Sequence, residues 1–174
     1  MTIWGRILLV IVIGFAGALG AGLFAQAPDK DYLTNVEADK IRDAETPNER
    51  IKLFILFADD RIKKFQYELE HPSQNNHEQM LNYLLNAYIG CVDDAADLMQ
   101  LGIEKQQNVR AGVDLMAEKT KEYLQVLNKA KADAKEIEMY KENLDDAIEG
   151  TQDALNDAEK AKKSVAPPPV RRKN

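Results

Sequence analysis

The sequence predicts an all-α protein, an elongated antiparallel helical bundle or coiled coil built around one long central helix. Three observations predict this architecture. Apolar residues recur at steps of three and four along most of the chain. No segment alternates apolar and polar residues with the period of a β-strand. The clearest turn in the body of the chain is the polar segment 72–76.

The first 27 residues predict an export signal or a membrane anchor. Arg6 precedes an apolar run over residues 7–25, and the small residues Ala25 and Ala27 flank Gln26. The run is about as long as a helix that crosses a bilayer, so two fates stay open: removal of residues 1–27, or retention of residues 7–25 as a tether in the inner membrane. With Arg6 on the cytoplasmic side, either fate places the body outside the cytoplasm, in the periplasm or secreted.

Two capping boxes predict where the first helices begin. Thr34 and Glu37 have the spacing in which each side chain bonds the other residue's backbone amide, which predicts a helix over about 35–44. Thr46 and Glu49 repeat that spacing with Pro47 at the first helical position. A second helix is therefore predicted over 47–71, ending before Pro72 because the residue preceding a proline disfavours the helical conformation.

The segment 77–131 predicts a single long helix. Its apolar stripe keeps its phase across Gly102, and residues 104–107 are good helix formers without proline, which favours a rod of about 80 Å. The alternative is an up-down four-helix bundle in which the chain breaks near Gly102. A last helix is predicted over 136–163, so the helical domain covers 28–165 and a proline-rich, basic, disordered tail covers 166–174.

The charge of the body excludes nucleic acid as a partner. Of the 23 basic residues, Arg6 lies in the N-terminal segment and Arg171, Arg172 and Lys173 lie at the end, which leaves 19 against all 29 acidic residues. Such a surface repels phosphate backbones. Cys91 is the only cysteine, so no intramolecular disulfide forms. Its apolar helical neighbours predict that it is a small buried residue.

Two acidic pairs are weak candidates for a divalent-cation site. Asp93 with Asp97, and Asp145 with Glu149, place carboxylates one helical turn apart in two similar segments that begin at Tyr88 and Tyr140. A solvated acidic face explains the same residues more simply, because they point away from the apolar stripe. In the tail, Arg171, Arg172 and Lys173 are weak candidates for binding an acidic partner.

No catalytic or cofactor motif stands out in the chain. The only histidines, His71 and His77, flank the turn at 72–76, where we expect them in solvent. No spacing typical of haem, phosphate or a catalytic triad occurs, so neither a cofactor nor an enzyme is predicted. The sequence favours a non-enzymatic exported protein of the bacterial cell envelope.

Such a protein would act as a structural, interaction or chaperone-like adaptor protein through its helix faces, by self-association or with a protein partner. It would meet the membrane only through the N-terminal segment, if that segment is not cleaved. The alternative is a helical bundle that binds a small molecule or a divalent cation, whose melting temperature would rise when the right ligand binds.

Overall fold

The fold is a bundle of α-helices. The computed structural model describes residues 32–134 and 136–164, which contain no strand, and the prediction of an all-α protein is confirmed. The helices are α1 (Asn35–Asp43), α2 (Pro47–Glu70), α3 (His77–Glu104), α4 (Arg110–Asp133) and α5 (Lys141–Ser164), and a short 3-10 helix (Ile137–Met139) precedes α5. Within these ranges no helix is both apolar enough and long enough to cross a bilayer. The predicted signal or anchor at 1–27 and the whole predicted tail at 166–174 lie outside the described residues.

The first two helices begin where their capping boxes predict. The Thr34 hydroxyl accepts a hydrogen bond from the Glu37 amide, and the Glu37 carboxylate accepts one from the Thr34 amide. Thr46 and Glu49 form the same reciprocal pair at the start of α2. Both boxes satisfy backbone amides that a helix start otherwise leaves without a partner.

The predicted continuous helix over 77–131 is wrong, because the chain leaves the helix after Glu104. Gln106 adopts a left-handed conformation with φ 54°. Its amide donates to the Ile103 carbonyl at 3.0 Å, and the Gln107 amide donates to the Gly102 carbonyl at 2.8 Å. These two bonds form a Schellman motif, the usual way in which a helix ends by reversing direction. The alternative of four helices broken near Gly102 agrees with this arrangement.

Gly102 acts as a contact surface in this reversal and does not itself end the helix. It lies inside α3 and is buried. A Cβ atom at this position would overlap Cγ1 of Val109, a fully buried residue that directly precedes α4. The missing side chain therefore allows the returning chain to lie directly against the end of α3.

The four long helices alternate in direction. The α2–α3 and α4–α5 pairs are antiparallel hairpins, and in addition α3 packs on α5 and α2 packs on α4. Asn82 near the start of α3 bonds Met139 and Asn143 beside the start of α5, so α3 and α5 run parallel. The consecutive helices α3 and α4 contact each other much less, and they occupy diagonal positions.

A line of buried polar contacts crosses the centre of the bundle. The Tyr123 hydroxyl of α4 donates to the Ile55 carbonyl of α2 at 3.1 Å. The Tyr123 ring meets the Tyr88 ring of α3 edge-on, with centroids 5.5 Å apart. The Tyr88 hydroxyl lies 2.7 Å from the Thr151 hydroxyl of α5. All four long helices are therefore joined in one layer, and the hydrogen bonds of its hydroxyls offset the cost of burying them.

A salt-bridge cluster holds α1 against the α2–α3 face. The guanidinium of Arg61, which is only 6% exposed, forms two 2.7 Å bonds with the Glu37 carboxylate. The Tyr32 hydroxyl bonds the Asp94 carboxylate, and its ring lies over Gly90. We call these five residues the N-terminal latch, because they fix the chain to the bundle where the described residues begin.

Candidate functional site: an open groove at one end of the bundle

One end of the bundle carries an open groove of about 560 Å³. It lies between the C-terminal parts of α2 and α4, beside the α2–α3 turn and the α4–α5 connection. The lining includes a mainly apolar floor and a charged rim. We call it the end groove, with the floor residues Leu69, Val126, Ala130, Ala134 and Tyr140 and the rim residues Glu70, Lys129, Asp133 and Glu136.

Direct contacts hold α2 and α4 together at their N-terminal ends, and small side chains line the end groove at their C-terminal ends. At their N-terminal ends, the Asn48 side chain accepts a bond from the Gly112 amide at 2.8 Å and donates one to the Asn108 carbonyl at 2.7 Å. Gly112 has no side chain to separate it from Ile51. At the other end, Ala130 and Ala134 are too short to fill the space beside the partly buried Leu69, so the space stays open.

The floor of the end groove is built on a rigid aromatic pair. Tyr140 is only 4% exposed, and its ring meets Phe65 edge-on with centroids 5.9 Å apart. Burial raises the pKa of Tyr140, so its phenol stays neutral at physiological pH. A buried aromatic pair of this kind gives the groove a preformed apolar base.

A buried carboxylate closes the α2–α3 turn next to the groove. Glu68, 6% exposed, accepts hydrogen bonds from the Ser73 amide and hydroxyl at 2.8 and 2.9 Å. Its other neighbour is His77 Nδ1, at 2.8 Å. Burial opposes ionisation of Glu68, but the bonds from His77 and Ser73 outweigh it and lower the pKa of this carboxyl. The network therefore holds the turn in place beside the groove.

This network corrects the expectation that both histidines lie in solvent. The His77 side chain is only 20% exposed and is paired with Glu68, whereas His71 is exposed and stacks on the Tyr67 ring at 4.4 Å. The Glu68 carboxylate lies between the Ser73 hydroxyl and the His77 imidazole. A catalytic triad needs the imidazole to bond the hydroxyl and the carboxylate to bond the imidazole, so this order of contacts does not activate Ser73.

Among the described residues, the side chains of the rim carry a net negative charge. Glu70, Asp133 and Glu136 contribute three carboxylates, and Lys129 contributes one ammonium group. Within residues 32–134 and 136–164, none of these three carboxylates forms an ion pair or a hydrogen bond. Their oxygens are therefore available to a positively charged ligand.

The four candidate cation ligands lie on two helices and do not form a cluster. Asp93 and Asp97 are one turn apart on α3, and burial together with the neighbouring aspartates raises the pKa of Asp93. Asp145 on α5 forms an ion pair with Lys131 at 2.6 Å, and Glu149 is exposed one turn further along. Across the described ranges, no group of three or more histidine, cysteine or acidic side chains has the geometry to hold a metal ion.

The other residues that the sequence analysis selected have simple outcomes. Cys91 is fully buried, as predicted. Arg171, Arg172 and Lys173 lie outside the described residues. The sequence analysis missed the end groove and the buried Arg61. The alanines between 130 and 134 were a signal for the groove, because short side chains near a helix end leave space at a helix contact.

No family model, no curated protein and no solved structure matches this chain significantly.

Proposed function

We propose that this chain is a non-enzymatic exported protein of the bacterial cell envelope, acting as an interaction or adaptor protein, and that the end groove receives its partner. The observation that carries the proposal is an apolar, preformed floor open to solvent beneath three unpaired carboxylates. An apolar centre with a polar rim is the usual composition of a protein-binding surface. The partner that fits is a peptide segment with apolar residues beside basic ones.

Export is supported by the sequence alone, through Arg6, the apolar run over 7–25 and the small residues that follow it. If the run is retained as an anchor, only residues 26–31 separate it from Tyr32 of the N-terminal latch. Six residues span at most about 20 Å, so an anchored bundle is held close to the membrane surface.

A non-enzymatic role is supported by the arrangement of the polar groups. Ser73 and His77, which a hydrolytic site would need in contact, are each bonded to the intervening Glu68 instead. The buried hydroxyls of Tyr88, Tyr123 and Thr151 join helices at the bundle centre, and the buried Thr120 hydroxyl donates to the Met116 carbonyl within α4. These groups are committed to structural bonds.

Site-specific photo-crosslinking in cells of the source organism tests the proposal. A photoreactive amino acid replaces Ala130 in the floor of the end groove, and the matched control replaces Ala132, which is exposed on the same helix outside the groove. We expect a protein adduct at position 130 that is several-fold stronger than at 132. The adduct at 130 should weaken when Glu70→Gln and Asp133→Asn remove two rim charges. Two results would contradict the proposal: equal adduct yields at the two positions, or an adduct yield at position 130 that does not change when the two rim charges are removed.

A further inference from the structure

We propose that the end groove receives residues 167–173 of a second copy of this chain, so that copies associate head to tail. This inference rests on the proposed function of the end groove and names its partner. The segment begins with three prolines and continues with Val170, Arg171, Arg172 and Lys173.

The chemistry of the segment complements the groove. Three consecutive prolines favour the polyproline II conformation, which docks on aromatic-lined grooves with little loss of entropy. Leu69, Val126, Ala130 and Ala134 are partly exposed above the buried Tyr140 and supply the apolar surface for the prolines. Three cationic side chains then follow, against a rim with three unpaired carboxylates. Arginine and carboxylate form bidentate, charge-assisted hydrogen bonds, which are stronger than neutral ones.

The prolines of the segment cannot reach the floor of the end groove in their own copy. Tyr140 in the groove floor directly precedes α5, and Ser164 ends α5 at the opposite end of the bundle, where Lys162 pairs with Asp114 near the start of α4. The 24 residues of α5 separate these ends by about 36 Å. The five residues 165–169 span at most about 18 Å. Prolines bound at this end of the groove must therefore come from another copy.

A contact of this kind has two consequences. The surfaces that meet are different, so copies either exchange tails in a closed dimer or repeat the contact from copy to copy in larger chains or rings. Because the carboxylates of the rim are exposed, salt should weaken the contact strongly, as the screening length falls from about 10 Å at 0.1 M to about 3 Å at 1 M.

Sedimentation velocity on the full chain and two kinds of variant tests the inference. The tail variant carries Arg171→Gln, Arg172→Gln and Lys173→Gln. The groove variant carries Ala130→Trp, which fills the floor, and Glu70→Gln with Asp133→Asn provides a second groove variant that changes only exposed side chains. We expect the wild type to form oligomers that salt dissociates. Each variant alone should be monomeric at the same concentration. In the variants that lose charges, the apparent dissociation constant of self-association should rise at least about tenfold, because charge-assisted bonds are lost.

The most direct test is sedimentation of an equimolar mixture of the tail variant and a groove variant. One intact groove then meets one intact tail, and we expect a one-to-one dimer that grows no further. Two matched controls, Ala132→Trp and the pair Glu118→Gln with Asp153→Asn, change exposed positions outside the end groove and should associate like the wild type.

Three results would overturn the inference. They are a wild type that stays monomeric at low salt, a mixture that stays monomeric, and groove variants that associate like the wild type. If only the tail variant loses association, the tail binds another acidic surface, such as the exposed carboxylates of α5. In each of these cases, a crosslink from position 130 to a different protein would still support the proposed function. If no such crosslink formed, the proposed function and this inference would both be contradicted.

Discussion

At the scale of single residues, the end of α3 depends on a residue type that rarely marks a helix end. The left-handed position of a Schellman motif is usually glycine, because a Cβ atom is disfavoured there. Here the residue is Gln106, and the nearby glycine, Gly102, serves a packing contact instead. The sequence pattern therefore predicted a continuous helix, since nothing at 104–107 signals a stop.

Substitution of Gly102 tests its packing role. Gly102→Ala should lower the free energy of unfolding by about 1–3 kcal/mol, because the clash with the stiff, buried Val109 outweighs the better helix propensity of alanine. Gly150→Ala in α5 is the matched control. There the new methyl group comes to 2.5 Å from Cδ1 and 3.1 Å from Cγ1 of Ile89, whose partly exposed side chain can move aside. Chemical denaturation measures both variants, and equal effects would contradict this role of Gly102.

The left-handed residue gives a prediction of opposite sign. Gln106→Gly should raise the free energy of unfolding by about 0.5–1 kcal/mol, because relief of the strained φ outweighs the added flexibility of the unfolded chain. The same substitution at the exposed position Gln100, inside α3, should instead cost about 1 kcal/mol. Denaturation midpoints compare the two, and a loss of stability in Gln106→Gly would mean that the helix does not end there.

Two acidic residues predict how stability depends on pH. Burial opposes ionisation of Glu37, but the bonds from Arg61 and Thr34 outweigh it and lower its pKa to about 2. The pKa of Glu68 is lowered as well. A carboxyl whose pKa is lower in the folded state stabilises the fold above its unfolded pKa, and the effect is lost as pH falls through the folded value. Stability should therefore decrease from about pH 4.5 toward pH 2.

Urea denaturation across this range, with Glu37→Gln as the comparison, measures the contribution. The variant should be less stable than the wild type at pH 7, and the difference should shrink as the pH approaches 2. A difference that stays constant with pH would show that the Glu37 charge is not what stabilises the contact with Arg61.

At the scale of the elements, the described helices differ in how well the sequence predicted them. Capping boxes located the starts of α1 and α2, because these signals involve only neighbouring residues. The place of α1 in the fold was not predictable in the same way. This helix has no buried residue of its own, and it is held through Glu37 by Arg61 of another helix. A buried arginine on a helix face looks like any other surface charge in the sequence.

The N-terminal latch predicts which substitution frees α1. Arg61→Gln should lower the free energy of unfolding by about 2 kcal/mol and reduce the hydrogen-exchange protection of α1, because Glu37 loses its buried partner. Arg42→Gln is the matched control. Its side chain is 72% exposed and pairs only with Asp39 within α1, so its effect should stay within about 0.5 kcal/mol. Unchanged protection of α1 in Arg61→Gln would contradict the latch.

At the scale of the whole molecule, the apolar stripes predicted the buried faces but not the order of the helices. Tyr88 and Tyr140 occupy equivalent positions in the two similar segments of the sequence. In the fold, Tyr88 joins helices at the bundle centre, and Tyr140 forms the floor of the end groove. Their roles differ because α3 and α5 have different neighbours, which depends on the reversal between α3 and α4. The groove could not be predicted without that reversal.

The reversal after Glu104 is also the claim on which the end groove depends, because it returns the end of α4 to the α2–α3 turn. Spin labels at Glu78→Cys and Ala132→Cys, both exposed positions, test it by pulsed electron spin resonance. Diagonal helices in a bundle with about 10 Å between neighbouring axes predict a distance of about 20–30 Å between the labels. A distance near 80 Å, the length of an unbroken helix between these residues, would contradict the fold and the groove with it.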